Sequence, residues 1–112
     1  MIINKKTIIT IFNKDCDICQ YSLNEIKEKV YGKIDFNFIF ISNIDEATYH
    51  YLKDELMLLS ISNSYLLYDV NNELFDLLRI RHVPTFILFD EKGKIINTIE
   101  NIEDLLIEVN NN

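Results

Sequence analysis

The chain has 112 residues, and several residue types are scarce among them: no tryptophan, one proline, two glycines and two cysteines. Each shortage narrows the possibilities. Two cysteines are too few for a small secreted fold stapled by spread-out disulfides. Few glycines and prolines leave no collagen-like repeat, low-complexity linker or visible domain boundary. The length suits one domain with a single core. No apolar run is long enough for a helix that spans a bilayer. Basic residues are outnumbered, 11 Lys and Arg against 18 Asp and Glu, for a net charge of −7. That balance argues against nucleic acid and anionic membrane as partners. There is no phosphate loop, hydrolase triad or paired-carboxylate spacing. No signal peptide is expected either, because Met1-Ile2-Ile3-Asn4-Lys5-Lys6 leads straight into the first strand. The compartment stays open between the cytoplasm and a trimmed piece of an exported protein.

Both cysteines are spent in one place, as Cys16-Asp17-Ile18-Cys19, just after the apolar run Thr7-Ile8-Ile9-Thr10-Ile11-Phe12. A Cys-x-x-Cys between a strand and a helix suits redox exchange. The positive end of the helix favours a thiolate on the first sulfur. The second sulfur, one turn on, can close a disulfide, so the pair passes two electrons to or from another disulfide. Zinc binding is the competing use. It would need two more ligands, and only His50 and His82 remain, without ligand spacing. A purely structural pair is the other alternative, but the loop it closes is too short to add much stability.

Strand-like and helix-like stretches alternate, which predicts an α/β fold. Strands are expected at Thr7–Phe12, Phe36–Ile41, Tyr65–Tyr68, Phe86–Phe89 and Lys94–Ile99. Helices are expected at Asp17–Val30 (ended by Gly32), Asn43–Leu59 (capped by Asn43 or Asp45, with Leu52, Leu56 and Leu59 inward), Glu73–Ile80 (carrying Leu74, Leu77 and Leu78) and Ile102–Val109. The first two strands, joined by a helix, should be parallel. Asp90-Glu91-Lys92-Gly93 should turn an antiparallel hairpin. The result is a mixed central sheet flanked by helices, with Cys16 at the carboxyl ends of the strands, where ligands sit in such sheets.

Val83-Pro84-Thr85 places the only proline at the start of a strand. Proline is poorly tolerated there unless the geometry requires it, and a cis Val83–Pro84 bond is expected. It would present the backbone N–H and C=O of Val83 to an extended peptide and fill the space through which a metal ligand would approach. Val83, Pro84 and Thr85 are therefore the candidate substrate-binding residues, and Cys16 and Cys19 the candidate catalytic ones.

Taken together, Ile8 to Phe12 followed by Cys16-Asp17-Ile18-Cys19, the strand at Phe36–Ile41, Val83-Pro84-Thr85 and the hairpin with Gly93 resemble the thioredoxin superfamily over nearly the whole chain. The stretch from Ile44 to Arg81, with a strand ending at Asp69, resembles the helix-strand insertion of its TlpA/ResA-like branch before the cis-Pro. The resemblance implies a thioredoxin fold and an extracytoplasmic thiol-disulfide oxidoreductase of the bacterial periplasm or cell envelope. Its partners would be a disulfide-containing protein substrate and a dithiol electron donor, with no cofactor and no metal.

This chain departs from the family at four positions. Asp15 stands where the family has Trp before the first Cys, and Ile18 where it has Pro before the second. Thr10 stands where thioredoxin carries a buried acid, and Ser22 where the ResA-like proteins carry a glutamate. No carboxylate is thus placed to take the proton of Cys19. Asp15 and Asp17 flank Cys16: ionised, they oppose a thiolate and favour a reducing dithiol; otherwise one of them caps the helix. Phe12 is a candidate for the aromatic surface that Asp15 does not supply. His82 either lines a peptide groove or simply packs. His50, with Tyr49 and Tyr51, is expected on a surface helix, and Tyr65 and Tyr68 against the sheet. Three functional readings follow: a catalyst that reduces protein disulfides, a non-catalytic thioredoxin-fold binding module, or a metal-carrying module, against which Pro84 argues.

Overall fold

A computed structural model describes residues 5–31, 36–42 and 46–110. The chain runs β1 (Lys6–Ile11), α1 (Asp17–Lys29), β2 (Phe36–Ser42), α2 (Glu46–His50), β3 (Ser64–Tyr68), α3 (Glu73–Leu77), β4 (Thr85–Phe89), β5 (Ile95–Ile99) and α4 (Ile102–Asn110). The strands form one five-stranded sheet in the order β3-β2-β1-β4-β5. β1 pairs in parallel with β2, and β2 with β3. β4 runs antiparallel to both β1 and β5. The mixed α/β sheet expected from the sequence is therefore present, and the two apolar strands β1 and β2 lie inside it.

Strand alternation sorts the side chains onto two faces. Ile8, Phe36, Phe38, Phe40, Phe86 and Leu88 pack on one face with Leu23 and Ile26 of α1 and with Ile102, Leu105 and Val109 of α4. Ile11, Ile39, Ile41 and Ile87 point the other way, against Leu74, Phe75 and Ile80 of the α3 region. Aromatic residues fill the face under the long helices, and isoleucines fill the face under the short one. β2 is buried along its whole length, which explains its unbroken apolar run.

Two predicted helices are shorter than the apolar spacing suggested. The second is α-helical only over Glu46–His50 and widens into a π-helical turn over Tyr51–Glu55. Wide turns such as Leu58 N–H to the Leu52 carbonyl (2.8 Å) let Leu52, Leu56 and Leu58 all reach the core. Leu58, not Leu59, is the fully buried residue, and Leu59 packs at the core's edge. The capping residues Asn43 and Asp45, and Gly32 after α1, lie outside the described residues.

The third helix ends at Leu77, and both Leu77 and Leu78 are exposed. Its end is a Schellman motif: Ile80 N–H bonds the Phe75 carbonyl at 2.9 Å and Arg79 N–H bonds that of Asp76 at 3.3 Å. Arg79 takes the left-handed position (φ 55) usually given to glycine. The β4–β5 turn matches expectation. Gly93 has φ 84, and the Asp90 carboxylate accepts from Lys92 N–H and Lys94 N–H, each at 2.9 Å. The Lys94 bond comes first among the causes that hold the Asp90 carboxyl below its usual range.

Candidate functional site

β1 ends beside β2, where Phe12 N–H bonds the Ile41 carbonyl at 3.0 Å. A tight turn follows. Asn13 accepts from Asp15 N–H on its side chain (3.0 Å) and from Cys16 N–H on its carbonyl (3.2 Å). Cys16 is then the N-cap of α1, with extended backbone (φ −93, ψ 121). Its Sγ accepts a hydrogen bond from Cys19 N–H at 3.2 Å. The sulfur thus occupies the place usually taken by a serine or aspartate oxygen, at the positive end of a 13-residue helix. This corrects the expectation that Asp15 or Asp17 caps the helix. Asp17 begins the first turn, and the Asp15 side chain is 85% exposed, 3.8 Å from Lys14 Nζ.

The two thiols, both free, have different surroundings. Cys16 is half-buried and Cys19 is fully buried. Burial pushes the Cys19 thiol up to about 12, and the Cys16 sulfur adds to the rise, against a lowering bond from the Asn13 backbone. Thr10 and Ser22, at the positions where the resemblance expects acids, are both buried, and the Ser22 hydroxyl is spent on the Ile18 carbonyl at 2.8 Å.

Phe12 does not supply an aromatic surface. It is 1% exposed, because it faces the aromatic side of the core. Ile18, inside the Cys-x-x-Cys itself, is 66% exposed and supplies apolar surface there.

The Val83–Pro84 peptide is cis. Thr85 pairs with Ile11, so Pro84 and the Cys16 turn stand at the same end of the sheet. Pro84 and Thr85 are buried, and the Thr85 hydroxyl donates to the His82 carbonyl at 2.9 Å. Val83 is half-buried and touches both core clusters. Among the described residues its backbone N–H and C=O make no hydrogen bond. The His82 ring is held by Glu100, Nε2 to Oε2 at 2.8 Å, on the exposed side of this loop. His50 lies on the surface between Glu46 and Asp54. Tyr65 packs partly into the isoleucine cluster, whereas Tyr68 is 40% exposed. Among the described residues no three His, Cys, Asp or Glu side chains converge closely enough to hold a metal ion.

Sequence reasoning missed two features near this end. Asp69 is buried, and its carboxylate accepts from Leu74 N–H (2.7 Å) and Phe75 N–H (3.1 Å), which anchors α3. Arg79, Arg81, His82 and Glu100 line one concavity beside Thr85. The available signal was that both arginines of the chain stand within five residues of its only proline.

No family model matches the chain, and no curated protein matches it. Solved structures do. The chain is similar to a secreted Mycobacterium tuberculosis disulfide oxidoreductase homologous to E. coli DsbE, with a TM-score of 0.77 and 14% identity over 97% of this chain and 83% of that one. It is similar to StoA from Bacillus subtilis (TM-score 0.68, 19% identity, 96% and 83% covered). It is also similar to the thioredoxin domain of a thiol-disulfide oxidoreductase from Bacteroides vulgatus (TM-score 0.75, 19% identity, 98% and 80% covered). These likenesses establish a thioredoxin fold.

Proposed function

We propose that this chain is a thiol-disulfide oxidoreductase that reduces protein disulfides. The observation that carries the reading is the unequal pair of sulfurs: Cys16 half-exposed at a helix N-cap, and Cys19 buried one turn behind it. Three solved structures that share the fold are named as, or taken from, disulfide oxidoreductases or StoA, which supports the same chemistry.

The Cys16 thiolate attacks one sulfur of a substrate disulfide. A mixed disulfide forms and the substrate's other sulfur leaves as a thiolate. Cys19 then loses its proton and attacks Cys16 Sγ. The Cys16–Cys19 disulfide forms, the second substrate thiol leaves, and the Cys19 proton ends on a substrate sulfur. Two electrons pass from the chain to the substrate, and an external dithiol returns them. The unpaired backbone of Val83 holds the substrate chain as an added strand, with Pro84 and Thr85 fixing that segment. The charges around the pair support the reducing direction. Strong oxidants of this chemistry stabilise their reduced form. Here Asp15 and Asp17 flank Cys16, and burial disfavours ionisation of Cys19.

The test is the reduction potential of the pair in glutathione or dithiothreitol buffers, with Cys16→Ser as control. A two-electron transition between about −300 and −200 mV is expected. A value near about −120 mV would reassign the chain as an oxidant. A pair that never closes a disulfide would make it a binding module.

A further inference from the structure

This inference rests on the proposed reduction of protein disulfides and names the substrate class. The chain has a net charge of −7, yet its two arginines are Arg79 and Arg81, just before His82 and the cis Val83–Pro84 bond. Together with His82, Thr85, Thr98 and Glu100 they line a concavity of about 280 Å³. Glu100, the acidic group of that lining, is engaged by His82 at 2.8 Å. Both arginines are exposed, and among the described residues neither guanidinium is in an ion pair. Two guanidinium groups outside any ion pair among the described residues therefore face solvent beside the segment where the substrate chain would lie.

The backbone gives a second, independent observation. Arg79 occupies the left-handed closing position of the α3 Schellman motif, φ 55. Glycine is the residue that fits there without strain. An arginine at that point weakens the helix end, and among the described residues its guanidinium makes no ion pair.

We infer that Arg79 and Arg81 select substrates by binding acidic side chains next to the disulfide under attack. Guanidinium groups bind carboxylates through paired N–H donors in a fixed plane. Two residues of extended chain span about 7 Å. Arg81 stands two residues before Val83, so an Asp or Glu about two residues from the cystine of a peptide paired with Val83 would come level with it, with Arg79 on the lining of the same concavity.

The test compares three substrates: uncharged hydroxyethyl disulfide, and two disulfide-bridged peptides that differ only in Glu or Gln at those flanking positions. The wild-type chain should reduce the Glu peptide with a kcat/KM about fivefold above the Gln peptide at low salt, a ratio near 1 kcal/mol that added salt diminishes. An Arg79→Gly/Arg81→Gln protein should lose that ratio and keep its rate on hydroxyethyl disulfide. Glycine suits the left-handed position, so that loss would not come from misfolding. Lys92→Gln/Lys94→Gln removes the same charge from the far hairpin and should keep the ratio.

Equal rates on both peptides, or a ratio that survives in the arginine double variant, would overturn the inference. Failure on hydroxyethyl disulfide would overturn the parent reading instead. Fluorescence anisotropy of the Glu peptide with serines for cysteines then decides the inference alone: binding that weakens in the arginine double variant supports it, and unchanged or absent binding overturns it.

Discussion

At the scale of single residues, the chemistry turns on where two sulfurs sit relative to one helix end. Cys16 uses its sulfur as the N-cap acceptor, 3.2 Å from Cys19 N–H, so the atom that caps the start of the helix is the one the proposed reaction offers to a substrate. Cys19, fully buried, is pushed up to about 12. A raised value means the thiol is retained as pH rises. At pH 8 Cys19 therefore remains a thiol. Iodoacetamide should therefore label Cys16 alone between pH 7 and 9, with Cys19 joining only as pH climbs toward about 12; peptide mass spectrometry reads both. Equal labelling at pH 8 would contradict the burial argument. Cys19→Ser should trap the mixed disulfide, visible as a stable covalent adduct, because no second sulfur remains to release it. The cysteines were legible as a pair in the sequence. Which atom caps the helix was not, because aspartates on both sides of Cys16 are equally good caps by residue type.

At the scale of elements, the segment between β3 and β4 carries the least obvious design. α3 has only five residues, too short to persist alone. Two devices hold it: the Asp69 carboxylate bonding Leu74 and Phe75 N–H at its start, and the Phe75–Ile80 hydrogen bond at its end. Asp69→Ala should cost about 1–3 kcal/mol, since it strands two inward amides. Urea denaturation gives the cost, and hydrogen exchange at Leu74 and Phe75 should quicken most. An unchanged midpoint would show that the tertiary contacts of Phe75 and Ile80 suffice. Tyr31 does similar work elsewhere. Its phenol oxygen accepts from Ser60 N–H (3.0 Å) and Ile61 N–H (3.2 Å) and shares a 2.9 Å hydrogen bond with the Ser64 hydroxyl. It thereby ties the end of α1 to the start of β3, a link of about thirty residues that no local pattern announces.

At the scale of the whole molecule, the sheet divides two unequal cores. Among the described residues the aromatic face gathers eighteen buried hydrophobic residues and the isoleucine face four. Stability should follow that division. Ile8→Ala, on the aromatic face, should cost toward the top of a range of about 2–5 kcal/mol, whereas Ile87→Ala, the same truncation on the other face, should fall toward its bottom. Both would appear as shifts of the urea midpoint at constant slope. Against a total of about 5–15 kcal/mol, the first would bring the chain close to unfolding and the second would not. Equal costs would mean that the α3 side is packed as tightly as the side under α1 and α4. Among the described residues no helix is long and apolar enough to cross a membrane.

By itself the sequence determined the alternation of strands and helices, the parallel and antiparallel pairings, the Cys16–Cys19 pair and the cis proline. Each of these is written in local pattern: period-two or unbroken apolar runs, a lone Cys-x-x-Cys, a lone proline before a strand. Tertiary structure decided the rest. It shortened α2 and α3, because burial of Leu58 and exposure of Leu77 depend on where the sheet ends. It turned Phe12 inward, because strand alternation carries that side chain into the aromatic face. It also gathered Arg79, Arg81, His82 and Glu100 around one concavity, because Glu100 follows β5 and comes alongside only through the β4–β5 pairing. Local propensity acts over a few residues. Which distant side chains share a cavity is set by sheet order, and that is a property of the folded chain.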